Sequence, residues 1–259
     1  MISKSAIIGK KAQIGKNVRI GDFTIIDDDV VIGENTWIGN YVNIQNGARI
    51  GQGCQVHASA VLAGNPQDLK FRGEYTVLEI GNNNIIREFV TINRGTASKG
   101  KTVIGHDNLI MANSHIGHDC EIGNHCVIGF NVGMAGEVIV SDWANISGLT
   151  GIHQFSKIGA HVMVGGLSKI AKDVPPYVIA ARDPLTYEGI NSIGLQRRGF
   201  ESSKINELKE IYRVIFQEGR NTAHALGLIE SNFEKTPERD EIIRFIRDSA
   251  RGIIKGCKE

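Results

Sequence analysis

The chain has 259 residues, 41% of them hydrophobic, and 29 basic against 28 acidic side chains leave a formal charge of +1. Near-neutrality argues against a polyanion-binding tail, and no apolar run reaches the roughly 18 residues that span a membrane, so neither nucleic-acid binding nor stable membrane insertion is expected. Met1-Ile2-Ser3-Lys4-Ser5 has no basic segment leading into an apolar run, so no secretory leader is expected and the cytoplasm is the expected compartment.

The elements follow from a repeat. An aliphatic residue returns at every sixth position from Ile8 to Leu62, again at Ile80, Ile86 and Ile92, and again from Ile104 to Ile170. Glycine usually follows it. This period is neither that of a helix nor that of a simple strand. It fits a short strand and a turn repeated around a solenoid. Glycine suits the bend, and the Ile and Val content suits strands. Cys54, Cys120 and Cys126 each fall four residues after a repeat aliphatic, a slot that also holds Ala12, Thr24 and Ser114. They read as small inward-facing thiols in a reducing compartment, not as nucleophiles. Cys257 stands apart, and no CxxC pair exists.

The pattern resembles the hexapeptide-repeat family. The resemblance implies a mainly β fold, a left-handed parallel β-helix in which three hexapeptides make one coil of roughly 18 residues. The solenoid is expected over residues 1–176, with loops at 63–79 and 94–103. Long loops on a compact repeat are usually functional or mobile. Asp173-Val174-Pro175-Pro176 is expected to stop strand addition. Residues 177–259 are expected to be a connector and a C-terminal α-helical domain. Ser202 or Ser203 opens a helix with Ile205, Leu208, Ile211, Tyr212 and Ile215 on one face and Gly219 at its end. A shorter helix follows Asn221. Thr236-Pro237-Glu238 opens the last, with Ile242, Ile243, Phe245 and Ile246 as its apolar face and an end near Gly252.

Coil arithmetic then places the chemistry. Residues one coil apart share an edge, so His118, Gly136 and Gln154 fall on one line. Glu137 and His153 lie one position off it, and His115 borders the same surface. A histidine in this turn position is expected to point outward. An imidazole, a carboxylate and a bare glycine backbone on one strip suggest acid–base chemistry. The His-x-x-His spacing does not suit a metal site of this fold, so no metal is expected. His57, His106, His125, His161 and His224 read as ordinary surface or core residues.

Longer motifs sharpen the resemblance: Gln67-Asp68-Leu69-Lys70, Ile92-Asn93-Arg94-Gly95-Thr96, His115-Ile116-Gly117-His118-Asp119-Cys120, Gly151-Ile152-His153-Gln154-Phe155, Asp173-Val174-Pro175-Pro176-Tyr177 and Gly194-Leu195-Gln196-Arg197-Arg198-Gly199-Phe200. Together they resemble the UDP-N-acetylglucosamine O-acyltransferase family over essentially the whole chain. The resemblance implies transfer of a 3-hydroxyacyl group from acyl carrier protein to the sugar 3-hydroxyl, the first step of lipid A synthesis. It implies His118 as general base, Asp119 as its orienting partner and Gly136 as an oxyanion donor. Asp68, Lys70, His115, Glu137, His153 and Gln154 would meet the sugar and the acyl hydroxyl. Asn191, Arg197 and Arg198 would meet the nucleotide end. No cofactor is implied beyond the carrier's phosphopantetheine thioester, and a homotrimer is implied.

Gly166 matches the family's acyl-chain ruler, and glycine there implies a long donor, about fourteen carbons or more. Arg244, Arg247 and Arg251, spaced for one helix face, would steer the acidic carrier. Two positions depart from the family: Glu137 where histidine is common, and Ile193 where an acidic residue is common. They leave acylation of a 3-amino sugar open. The related N-acyltransferases carry a globular domain ahead of the repeat, and here the repeat starts by Ile8. Small-molecule acetyltransferases using coenzyme A lack the Gln67–Lys70 motif and the helical tail. A non-catalytic solenoid scaffold would have no reason to align His118, Gly136 and Glu137.

Overall fold

The structure is a computed structural model describing residues 1–216 and 221–256. It is a parallel β-helix followed by a small helical domain. Strands of mostly two residues alternate among three sheets. The first sheet runs from Ile7–Ile8 to Lys169–Ile170, the second from Gln13–Ile14 to Lys157–Ile158, and the third from Arg19–Ile20 to Thr186–Ile190, with Lys255–Gly256 beyond it. Each strand pairs in parallel with the equivalent strand of the next coil, as in Ile7↔Ile25 and Ile116↔Met134. We call the bend from first to second sheet the first corner, from second to third the second corner, and from third back to first the third corner.

The repeat aliphatics fill the prism. Ile26, Ile38, Ile44, Ile86, Ile110, Ile116, Ile146 and Ile170 are all essentially buried. Each such side chain contributes about 1.5–3 kcal/mol relative to exposure. The small slot also has a hydrogen-bonding role. Thr24 Oγ1 donates to Gly39 O at 2.7 Å and Ser114 Oγ to Gly129 O at 2.7 Å. Cys120 Sγ reaches Ala135 O at 3.1 Å and Cys126 Sγ reaches Ser141 O at 3.2 Å in the same relation. Burial pushes both thiols up to about 12, so they are inert, as expected from sequence. Cys257 lies outside the described residues.

The structure revises several boundaries. Val61–Gly64 and Val77–Ile80 are strands, and so is Lys101–Ile104, so the insertions shrink to residues 65–76 and 94–100. Both open at the first corner, because each leaves the first sheet and returns in the second. The prolines do not stop strand addition. Val178–Ala181 pairs in parallel with Met163–Val164, and Thr186–Ile190 returns antiparallel beside it. The expected connector therefore holds two strands of the third sheet.

Helix α1 spans Ser192–Arg197, α2 Ser202–Phe216, α3 Thr222–Asn232 and α4 Pro237–Arg247. The expected face of α2 is buried from Ile205 to Ile215, while its expected end, Gly219, lies outside the described residues. Asn221 and Thr236 cap α3 and α4 through side-chain oxygens. Helix α4 ends at Arg247, before Gly252, and Phe245 is only partly buried. Tyr212 Oη donates to Pro176 O at 2.6 Å and Ser249 Oγ to Asp173 Oδ2 at 2.6 Å, fastening the helices to the prism end. No helix among the described residues is long and apolar enough to cross a membrane.

At several coils, Gly105 among them, the glycine after the aliphatic leaves room that the next coil occupies. A Cβ on Gly105 would sit 2.5 Å from Gly123 O, whereas a Cβ on Gly133, on the outer face, meets nothing within 4 Å. Gly105→Ala is therefore expected to destabilise by about 1–3 kcal/mol. Gly133→Ala should stay within about 0.5 kcal/mol of wild type. Denaturant unfolding of the two variants checks the contrast; equal losses would mean that coil spacing does not select the glycine.

Candidate active site

The first corner gathers polar side chains from three successive coils and both insertions. Strand register carries His115 onto Gly133 and Gly133 onto Gly151. The following turns stack likewise, with Glu137 N donating to His118 O at 2.8 Å and Phe155 N to Gly136 O at 3.2 Å. His118, Gly136 and Gln154 thus share one edge, as coil arithmetic requires.

His118 does not point freely outward. It is 7% exposed, and Asp119 beside it is 0% exposed. His118 Nδ1 lies 2.7 Å from Asp119 Oδ2. An ionised carboxylate only accepts, so in the neutral imidazole this contact puts the ring N–H on Nδ1 and leaves the lone pair on Nε2. Asp119 sits in a left-handed turn, φ 60°, where Asp is one of the less disfavoured residues. Thr102 Oγ1 accepts its backbone N–H at 2.8 Å. The burial comes from the second insertion, which covers the carboxylate. Periodicity alone places Asp119 on an exposed turn and gives no sign of that cover.

Gly136 faces the ring. A Cβ there would lie 2.5 Å from both Cε1 and Nε2 of His118. Only glycine leaves room for the imidazole. Its N–H finds no acceptor among the described residues. At equivalent turn positions of the second corner, His106 N donates to Asn124 Oδ1 at 2.8 Å and Asn124 N to Asp142 Oδ1 at 2.7 Å.

Around this pair the other first-corner residues divide. His115 Nδ1 lies 2.8 Å from Thr91 Oγ1, and burial, then the neighbouring His118, pushes its pKa down. It is neutral at pH 7. His153 is exposed, its Nδ1 2.9 Å from Gln154 O. His115, Gly133, Gly151, His153 and Lys169 line an open hollow of about 380 Å³ on the first sheet. The two glycines make its floor. In the first insertion Asp68 Oδ1 accepts Lys70 N at 2.9 Å, turning its own loop, while Lys70 projects into solvent. Arg94 lies 5.4 Å over the Phe71 ring, and Glu74 Oε1 accepts Ala97 N at 3.2 Å, joining the two insertions. Gly166 is exposed at the third corner, where a Cβ would find Gly148 O at 3.4 Å, an ordinary contact.

Three expected residues lie elsewhere. Asn191 Nδ2 donates to His161 O at 2.9 Å while its Oδ1 accepts Gly194 N at 3.2 Å, capping α1. Its side chain is committed to structure. Arg198 stacks 5.1 Å over Trp143, and its Nη1 lies 3.3 Å from His161 Nδ1. These contacts are at the second corner, not beside His118. Arg197 is exposed on the same helix. Sequence reading missed the ring ladder there: His125 stacks on Trp143 at 4.1 Å, and His161 on Tyr177 at 5.5 Å. His125, Trp143 and His161 are one coil apart each, so the arithmetic that aligned His118 would have found them.

The basic face of the last helix is incomplete. Arg251 lies past the end of α4 and donates to Ala171 O at 3.0 Å. Arg247 pairs with Glu230 at 2.7 Å. Asp240 and Asp248 share the hollow that Arg244 and Arg247 line. Among the described residues no group of three His, Cys, Asp or Glu side chains is arranged to hold a metal.

Comparison with known proteins bears on the whole chain. A family model described as bacterial transferase hexapeptide (six repeats) matches residues 29–64 and 101–136. One described as UDP N-acetylglucosamine O-acyltransferase, domain 2, matches residues 173–254. Acyl-[acyl-carrier-protein]--UDP-N-acetylglucosamine O-acyltransferase from Thiobacillus denitrificans is 44% identical over 73% of this chain and 74% of its own length. The protein of that name from Burkholderia lata is 45% identical over 76% of this chain and 77% of its own. The crystal structure of a UDP-N-acetylglucosamine acyltransferase from Bacteroides fragilis superposes with a TM-score of 0.97 at 49% identity, covering 98% of this chain and 100% of that one.

The ring ladder gives a test of the second corner. Burial, with the Arg198 charge adding to it, pushes His161 down to about 4. The unfolded imidazole titrates near 6.5. As pH falls from about 6.5 to about 4, the unfolded chain gains a proton here that the folded chain does not, so stability falls across that window. His161→Phe keeps the stack and removes the titration. Its melting temperature should fall less steeply than wild type between pH 7 and about pH 4.5. Parallel profiles would remove His161 from the linkage.

Proposed function

The chain belongs to the UDP-N-acetylglucosamine O-acyltransferase family, and we propose that it transfers a 3-hydroxyacyl chain from acyl carrier protein to the 3-hydroxyl of UDP-N-acetylglucosamine. This is the first step of lipid A synthesis, and the cytoplasm is its setting. The observation that carries the reading is the buried His118–Asp119 pair, with Nε2, which has no hydrogen-bond partner among the described residues, beside Gly136.

The reaction runs as follows. His118 Nε2 accepts the proton of the sugar hydroxyl as its oxygen attacks the thioester carbonyl. Asp119 holds the ring and stabilises the imidazolium that forms. The negative charge of the tetrahedral intermediate falls on the former carbonyl oxygen, where the unpaired Gly136 N–H acts as donor. Collapse breaks the carbon–sulfur bond, and the imidazolium returns the proton to the leaving phosphopantetheine thiolate. Asp68, Lys70, Glu137, His153 and Gln154 border the sugar. Neutral His115 adds no charge to compete with the base.

The nucleotide end requires a second copy. Arg198 packs on the second corner of the prism, with Arg197 exposed next to it in the chain, and His118 belongs to the first corner. A homotrimer with sites between adjacent prisms joins one copy's base to the next copy's arginines. Asn191 then works by fixing α1, which carries Arg197 and is capped at its end by Arg198. Arg244 attracts the acidic carrier, while Arg247 is held by Glu230 and Arg251 anchors the segment behind them.

His118→Ala should lower kcat at least about a hundredfold. It should also cost some stability, because the ring is buried. Acyl-transfer assays with UDP-N-acetylglucosamine and its 3-amino analogue, using carrier thioesters of several lengths, check this; turnover within about tenfold of wild type, about 1.4 kcal/mol, would remove the base assignment. Gly166 has room for a side chain, so Gly166→Met should fold. It is expected to lower the ratio of kcat/KM for long over short donors by roughly ten- to hundredfold, at about 0.8 kcal/mol per buried methylene. An unchanged ratio would place the end of the acyl groove elsewhere.

A further inference from the structure

The second insertion carries a threonine whose polar groups converge on one carboxylate. Thr96 is 7% exposed. Its backbone N–H donates to Asp119 Oδ1 at 2.9 Å, and its hydroxyl donates to Asp119 Oδ2 at 2.6 Å. Lys99 N adds a longer bond to Oδ1 at 3.3 Å. With the His118 ring, the carboxylate receives four donors and its acceptor sites are filled. The threonine hydroxyl is itself oriented, because it accepts Ser98 N at 3.2 Å. The loop closes on its own backbone, with Gly100 N donating to Thr96 O at 2.7 Å.

One coil further along, Glu137 shows the same turn without this cover. It occupies the position equivalent to Asp119, with φ 58° against 60°. Its carboxylate is half-buried and has no hydrogen bond among the described residues. The turn geometry alone therefore leaves a carboxylate at this corner without donors. Asp119 has them because the insertion supplies them on the side away from His118.

We propose that Thr96 is a positioning residue for the acyl transfer, acting through Asp119 to fix the orientation of His118, and that the second insertion is the clamp that delivers it. The proposal rests on His118 as the base. Thr96 touches neither substrate nor reacting atoms.

Thr96→Val removes the hydroxyl and keeps shape and backbone bonds. Its kcat should fall about ten- to hundredfold, the range for a lost charge-assisted hydrogen bond. KM for both substrates should stay within about twofold, and Thr96→Ser should recover most of the rate. In an Asp119→Asn background, Thr96→Val should cost less than about twofold more, since a residue acting through Asp119 has nothing left to act on. Thr96→Ala read against Thr96→Ser gives the same comparison if the valine variant unfolds. Losses that multiply in the double variant, a rise in KM with kcat unchanged, or full activity of Thr96→Val would each overturn the proposal. His118→Ala separates the two levels: if it retains activity, the base reading fails; if it is inactive while Thr96→Val is normal, only the clamp fails.

Discussion

Coil-to-coil registration is the constraint on which this structure depends. A two-residue strand has little stability of its own. Each is held by hydrogen bonds to the coils on either side, such as His115 N to Val132 O at 2.9 Å and Gly117 N to Met134 O at 2.9 Å. Side chains alternate in direction along a strand, so a one-residue slip would turn a whole column of buried aliphatics to solvent. The small slot and the glycine that follows the aliphatic serve the same end. One returns a hydrogen bond to the next coil, and the other lets that coil come close.

Because registration resides in the strands, a corner can be lengthened without disturbing it. Val61 pairs with Thr91 across the first insertion and Glu79 with Val103 across the second, and the ordinary repeat resumes beyond. Both insertions open at the corner that carries His118. The solenoid supplies rigid, repeated positions but leaves turn side chains exposed. The insertions supply cover. Asp119 and Glu137 are the two cases side by side, one clamped under a loop and the other half-exposed. A preorganised base requires the rigid frame and the cover together.

This division explains what was legible in the sequence. The aliphatic period gave the coil, and the coil aligned His118, Gly136 and Gln154, because those inferences concern backbone register. The burial of Asp119 was not legible, because it depends on where residues 94–100 fold back. Val178–Ala181 was hidden by the prolines before it: Pro175 and Pro176 lie in the turn, and the strand after them still finds an open sheet edge. Arg244, Arg247 and Arg251 have the spacing of one helix face, but the helix ends before the last of them. Glu230, which neutralises Arg247, comes from α3, and such a partner cannot be read from α4 alone. The insertion limits erred for a related reason, since Val77, Leu78, Thr102 and Val103 continue strands beyond the six-residue period.

Gly136 shows how closely packing and chemistry are joined at the corner. The His118 ring lies where a side chain on residue 136 would be, at 2.5 Å. Any side chain there would displace the His118 ring, before any role for the residue 136 N–H is considered. Alanine at 136 would push the imidazole away from its place against Asp119, so base and donor would be disturbed together. Effects at such a pair are not additive, and the loss from changing one cannot be assigned to either alone. The same contact works in the other direction. With glycine at 136, the ring is confined between the Asp119 carboxylate and the backbone of the next coil, so Nε2 has a fixed direction. That backbone carries the unpaired N–H. A glycine selected to make room for the base thereby brings a hydrogen-bond donor to the same side of the corner.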